Sequence, residues 1–145
     1  MRQCIRLYVL PLRVNGSTAW ISGVPSQVSR FLDWFEDILH LHERMLALMH
    51  GSQETMLKEL IQLLPKFEIY QPYLVCVGDF TQQLRHLTHK GDNFGHFVSL
   101  QDKQIRDSGW SLFKYINEPE KRLQKYLDLF TVHMTLCNTT LADQF

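Results

Sequence analysis

A chain of 145 residues, 45% of them apolar and 21% charged, can bury one hydrophobic core without disulfide or metal staples. Its 15 basic residues balance its 15 acidic ones, so no charge excess points to nucleic acid or to a membrane surface. No apolar run approaches the length of a membrane span, and no integral membrane segment is expected.

Cys4, Cys76 and Cys137 are odd in number and lack Cys-x-x-Cys spacing. They read as free thiols in a reducing compartment, which points to the cytoplasm. The start resembles a signal peptide only loosely, because Arg6 interrupts its apolar run and no clear cleavage site follows. The glycosylation patterns at Asn15 and Asn138 mean nothing without a secretory route.

Residues 1–14 hold apolar residues for a short helix, but Pro11 would break it, and the segment reads as the last turns of a longer element. Val14 to Pro25, with Gly16 and Gly23, reads as a loop. Ser26 is a good N-cap for the strongest helix of the chain, whose apolar positions run 28, 31, 32, 35, 38, 39, 42, 45, 46 and 49. Trp34, Leu41 and Leu48 lie off that stripe, which predicts packing on more than one side.

Gly51 ends this helix, and Ser52 caps the next, Gln53 to Leu64, stopped by Pro65. A further stripe runs through Phe67, Tyr70, Leu74, Val77, Thr81, Leu84 and Leu87, with Gly91 after its end. Asp92 or Asn93 caps a helix through Phe94, Phe97, Val98, Leu100 and Ile105, and Asp107-Ser108-Gly109 is a turn. The last helices are Trp110 to Ile116 and one from Glu118, where Asn117 and Glu120 form a capping-box pattern and Pro119 fits the first turn. No segment alternates with period 2, so the expected fold is all-α, an elongated helical bundle in a single domain, residues 1–145.

Covalent chemistry is not expected. The seven histidines lack zinc-motif spacing, and neither a Walker loop, a dinucleotide fingerprint nor a nucleophile elbow occurs. No metal or cofactor is implied. Cys76, beside Val75 and Val77, reads as packing.

The last helix has two faces. Leu123, Tyr126, Leu127, Phe130, Met134 and Cys137 gather on a core side. Lys121, Lys125, Asp128, Val132 and Leu136 gather opposite, with Arg122 and Leu129 on the flank. That second face suits an acidic and apolar partner; a solvated basic face with stray aliphatics is the alternative.

The run Pro119-Glu120-Lys121-Arg122-Leu123-Gln124-Lys125-Tyr126-Leu127 resembles the third conserved region of the Dbl homology (DH) domain, the exchange module for Rho-type GTPases. Tyr8-Val9-Leu10-Pro11-Leu12, the segment Phe35 to Leu46, the Tyr70-x-x-Tyr73 pair and Phe94-x-x-Phe97 are similar to family elements in the same order. The resemblance implies a fold of DH type, trimmed of most of the first helix and of the end of the last. It implies a guanine nucleotide exchange factor, not a covalent catalyst, whose partner is a Rho-family small GTPase. Its binding residues would be Lys125, Arg122, Lys121, Asp128, Leu129 and Val132, with Lys125 matching the family's switch II lysine. The family's first-helix glutamate has no match here, since no acidic residue precedes Asp33. Asp128, where the family has an aliphatic residue, is placed to pair with Lys125. The missing glutamate leaves open a second reading, an exchange-inactive helical module that binds a GTPase or scaffold.

Overall fold

The computed structural model describes residues 1–48, 53–89, 91–128 and 131, with the backbone alone at 53–57. It is an all-α bundle, as expected. Among the described residues the only extended pairing is an isolated bridge between Arg13 and Trp20.

The N-terminal segment is helical with changing pitch: α1, Arg2–Cys4, runs into a π turn, Ile5–Val9, and a 3-10 turn, Leu10–Leu12. Pro11 sits in that last turn, after which Arg13 is extended, so the proline ends the segment as its chemistry requires. Short as it is, the segment buries Cys4, Ile5, Tyr8, Val9 and Leu12.

Helix α2, Ser26–Leu48, is the central element. Its first backbone bond runs from the Ser29 amide to the Pro25 carbonyl, which puts the cap position at Pro25 and Ser26 one residue inside the helix. The expected stripe is buried from Val28 to Met45, save the half-buried His42, but Leu46 is 52% exposed. Leu41, off the stripe, is buried, and Trp34 and Leu48 pack against the core, so the helix is covered on more than one side. Met49, Gly51 and Ser52 lie outside the described residues.

After α3, Gln53–Leu63, the chain tightens into a 3-10 helix, Leu64–Ile69, with Pro65 in its first turn. Helix α4, Tyr70–His89, buries Tyr70, Tyr73, Phe80 and Leu84. The expected stripe was out of phase at its start. Phe67 belongs to the tighter 3-10 turn, so the α-helical stripe begins at Tyr70 and advances through Tyr73, leaving Leu74 39% exposed. Phe31 of α2 stacks on Phe80 at 3.9 Å and leans on Tyr73 at 5.3 Å, which locks α2 to α4.

Helix α5, Asn93–Gln104, starts as expected: Asp92 caps it, its side chain accepting the Gly95 amide at 2.8 Å. It buries Phe94 and Val98 while Leu100 is exposed. Gly109, in the left-handed region, closes the short 3-10 turn Arg106–Ser108. Helix α6 is shorter than expected, Leu112–Ile116, because Ser111 takes the cap and Trp110 stays outside. The last described helix, α7, covers 118–128. One buried cluster runs from the N-terminal segment through α2, α4 and α5 to α6.

Candidate functional site: the outer face of helix α7

Pro119 brings no backbone donor to the junction where α6 hands over to α7, so the last carbonyls of α6 need other partners. Two tyrosines three apart on α4 reach this junction. Tyr73 Oη donates to the Ile116 carbonyl at 2.5 Å, and Tyr70 Oη reaches the Pro119 carbonyl at 3.5 Å. Pro119 itself is buried.

Further along α7, Tyr126 turns inward. Its Oη lies 2.9 Å from His42 Nδ1, and His42 Nε2 hydrogen-bonds Tyr70 Oη, so one imidazole joins α2, α4 and α7. A neutral imidazole has one donor and one acceptor nitrogen. With Tyr70 donating to the Pro119 carbonyl, Nε2 donates to Tyr70 and Tyr126 donates to Nδ1. Phe67 completes the nest, stacked on Tyr70 at 5.9 Å and edge-on to Tyr126 at 6.3 Å. Burial first, then the charges of Arg122 and the N-terminus, lower the His42 pKa to about 4. Burial also raises the hydroxyls of Tyr70, Tyr73 and Tyr126, so the nest is neutral at physiological pH.

This anchoring turns the other side of α7 outward. Lys121, Arg122, Lys125 and Asp128 are all exposed, as the sequence places them. Lys121 pairs with Glu118 at 3.1 Å, whereas Arg122 and Lys125 make no ion pair among the described residues. Asp128 does not take Lys125 as its partner; its Oδ1 accepts from Gln124 Nε2 at 3.0 Å, one turn back on the same helix. Leu127, expected on the core side, is 53% exposed, because the nest takes in Tyr126 and rotates its neighbour outward. Leu123 is half-buried as expected. Leu129 and Val132, also expected on this surface, lie outside the described residues, as do Phe130, Met134, Leu136 and Cys137.

The result is a ridge of cations along the outer face of α7, suited to a surface that carries carboxylates. Sequence reasoning placed the ridge but missed its support. His42 counted there only as one position of a stripe, and the tyrosine pair in Tyr70-Gln71-Pro72-Tyr73 was the available signal. Among the described residues no group of three or more potential metal ligands gathers. Burial pushes the Cys4 thiol up to about 12, far from nucleophilic use. No helix of the described residues is long and apolar enough to cross a membrane. No protein-family model matches the chain, and neither curated proteins nor solved structures yield a match.

Proposed function

We propose that the chain is a guanine nucleotide exchange module of DH type for a Rho-family small GTPase, with the outer face of α7 as its binding surface. The observation that carries this reading is the ridge itself. Arg122 and Lys125 stand exposed and without an ion pair among the described residues, on a helix whose inner face is held by partly buried rings. Arg122, Lys125 and Tyr126 are also the residues on which the resemblance to the family's third conserved region rests.

Exchange of this kind needs no covalent step. A module that binds the nucleotide-free GTPase more tightly than the loaded one lowers nucleotide affinity by the same factor by which nucleotide lowers its own. Lys125 supplies a flexible ammonium for a carboxylate or carbonyl of the GTPase switch region, and Arg122 a planar fork beside it.

One observation favours the second reading, a module that binds without exchange. The earliest acidic residues are Asp33 and Glu36, and both are tied to Arg13, at 2.9 and 2.6 Å. Neither is free to stand in for the family's first-helix glutamate. Release of a fluorescent guanine nucleotide from Rho, Rac and Cdc42-type GTPases decides between them. Exchange activity accelerates release from one of the three, and Lys125→Ala reduces that acceleration about tenfold or more. Capture of the nucleotide-free GTPase with unchanged release establishes the second reading. Neither capture nor acceleration by a folded chain removes both.

A further inference from the structure

Away from α7, the last turns of α4, the adjoining side of α5 and the Arg106–Trp110 corner line an open groove of about 800 Å³. No residue of α7 lines it. Its volume lies in the range of small-molecule sites, but its lining is more polar than such sites usually are. Arg85 and His89 come from α4, Lys103 from the end of α5 and Arg106 from the turn that follows. All four are exposed, and none has an ion-pair partner among the described residues.

The one carboxylate that lines the groove is occupied. Asp102 Oδ1 accepts from Tyr8 Oη at 2.5 Å and from the Leu112 amide at 3.1 Å. It therefore ties the N-terminal segment and α6 to α5 rather than pairing with Arg85, Lys103 or Arg106. At the rim stands Trp110, 36% exposed, its indole stacked on Tyr115 at 4.8 Å and 18°. It is a held flat surface beside positive charge that has no ion-pair partner among the described residues. The groove's walls are also fixed in place, because α4 and α5 approach so closely at Gly95 that a Cβ there would lie 2.7 Å from the Leu87 carbonyl oxygen.

We propose that this groove binds a small phosphorylated ring compound of the nucleoside polyphosphate class. Its phosphates are held by Arg85, Lys103 and Arg106, and its planar ring stacks on Trp110. Guanidinium forks on two walls match phosphate oxygens in pairs, and a rigid indole binds a base face at small entropic cost. The proposal is independent of the exchange reading, since it uses other residues and needs no GTPase.

The test uses the full chain alone, with ATP and inorganic tripolyphosphate as probes, followed by calorimetry and tryptophan fluorescence. ATP binds, quenches fluorescence, and weakens with added salt. Arg85→Gln and Arg106→Gln each lower its affinity about tenfold, while Lys66→Gln, an exposed cation outside the groove, leaves it unchanged. Trp110→Leu removes the quenching and brings ATP down to the affinity of tripolyphosphate. Circular dichroism confirms that each variant keeps the helical content of the parent. Absence of ATP binding overturns the proposal, as does binding that Lys66→Gln lowers as much as Arg106→Gln. So does a Trp110→Leu variant that binds ATP as well as the parent, or a groove that takes an acidic peptide and not ATP.

Discussion

Among the described side chains with a shifted pKa, His42 is the one that titrates on the acid side of neutrality. Its neutral ring is held between Tyr70 and Tyr126, and protonation would turn its acceptor nitrogen into a second donor facing the Tyr126 hydroxyl. The folded pKa, about 4, lies below the ordinary value of 6.5, so the folded state prefers the neutral ring. Between those two values the unfolded chain binds a proton that the folded chain refuses. The resulting stability is therefore fully present above about pH 6.5 and is lost as pH falls toward 4. The ring is only partly shielded, and after that discount the loss is about 1–2 kcal/mol. Urea midpoints measured from pH 7 to pH 4 should fall over this window, and His42→Gln, which cannot titrate, should flatten the fall. An equally steep profile in the variant would place the titrating group elsewhere. His42 also lies behind the ridge, so the same variant should weaken GTPase binding if α7 carries it, by loosening Tyr126 next to Lys125.

Helix α5 shows what local sequence can and cannot announce about an element. Its cap was readable, because Asp92 follows Gly91 and precedes an apolar run, and the Asp92 carboxylate does accept the Gly95 amide. Asp92→Ala should cost about 1 kcal/mol by thermal or denaturant unfolding. The demand on Gly95 was not readable. Alanine is the better helix former by about 1 kcal/mol, so propensity alone recommends Gly95→Ala. The methyl group would meet the Leu87 carbonyl at 2.7 Å and the Thr88 Cα at 3.0 Å, backbone atoms that move only with α4. The substitution should destabilise by about 2 kcal/mol, and a stabilised variant would show that the two helices are free to part. The same division holds across the bundle. Stripes and punctuation place α2, α5 and the basic side of α7 from local pattern. The phase of α4 was missed because a 3-10 turn advances by a different angle before Tyr70, and the exposure of Leu127 follows from the inward turn of Tyr126 toward His42. The Asp128 partner was missed for a simpler reason: Gln124, one turn earlier, competes for the same carboxylate.

At the scale of the whole molecule, the N-terminal segment and α7 are attached in different ways, and this sets which part opens first. The segment 2–12 inserts Cys4, Tyr8 and Val9 fully into the core and is tied across the chain by Tyr8 to Asp102 and by the Tyr115 hydroxyl to Gln3 at 2.9 Å. Helix α7 is held by half-buried Leu123 and Tyr126, a buried proline and one histidine. Fewer buried apolar groups mean a lower free energy of local opening, so amides of 121–128 should exchange with solvent well before those of α2. The cysteines give a second view of the same hierarchy. Cys4 is wholly buried, with its thiol pushed up to about 12, while Cys76 is half-buried beside the cleft between α2 and α4. An alkylating reagent at neutral pH should modify Cys76 in the native protein. It should reach Cys4 only when the core opens, slower by roughly a thousandfold or more for a domain of ordinary stability. Peptide mapping of the labelled chain separates the two sites. Equal labelling of Cys4 and Cys76 in native buffer would detach the N-terminal segment from the cooperative core. Labelling of Cys4 that tracks global unfolding would instead make this short, proline-ended segment a full structural member of the bundle.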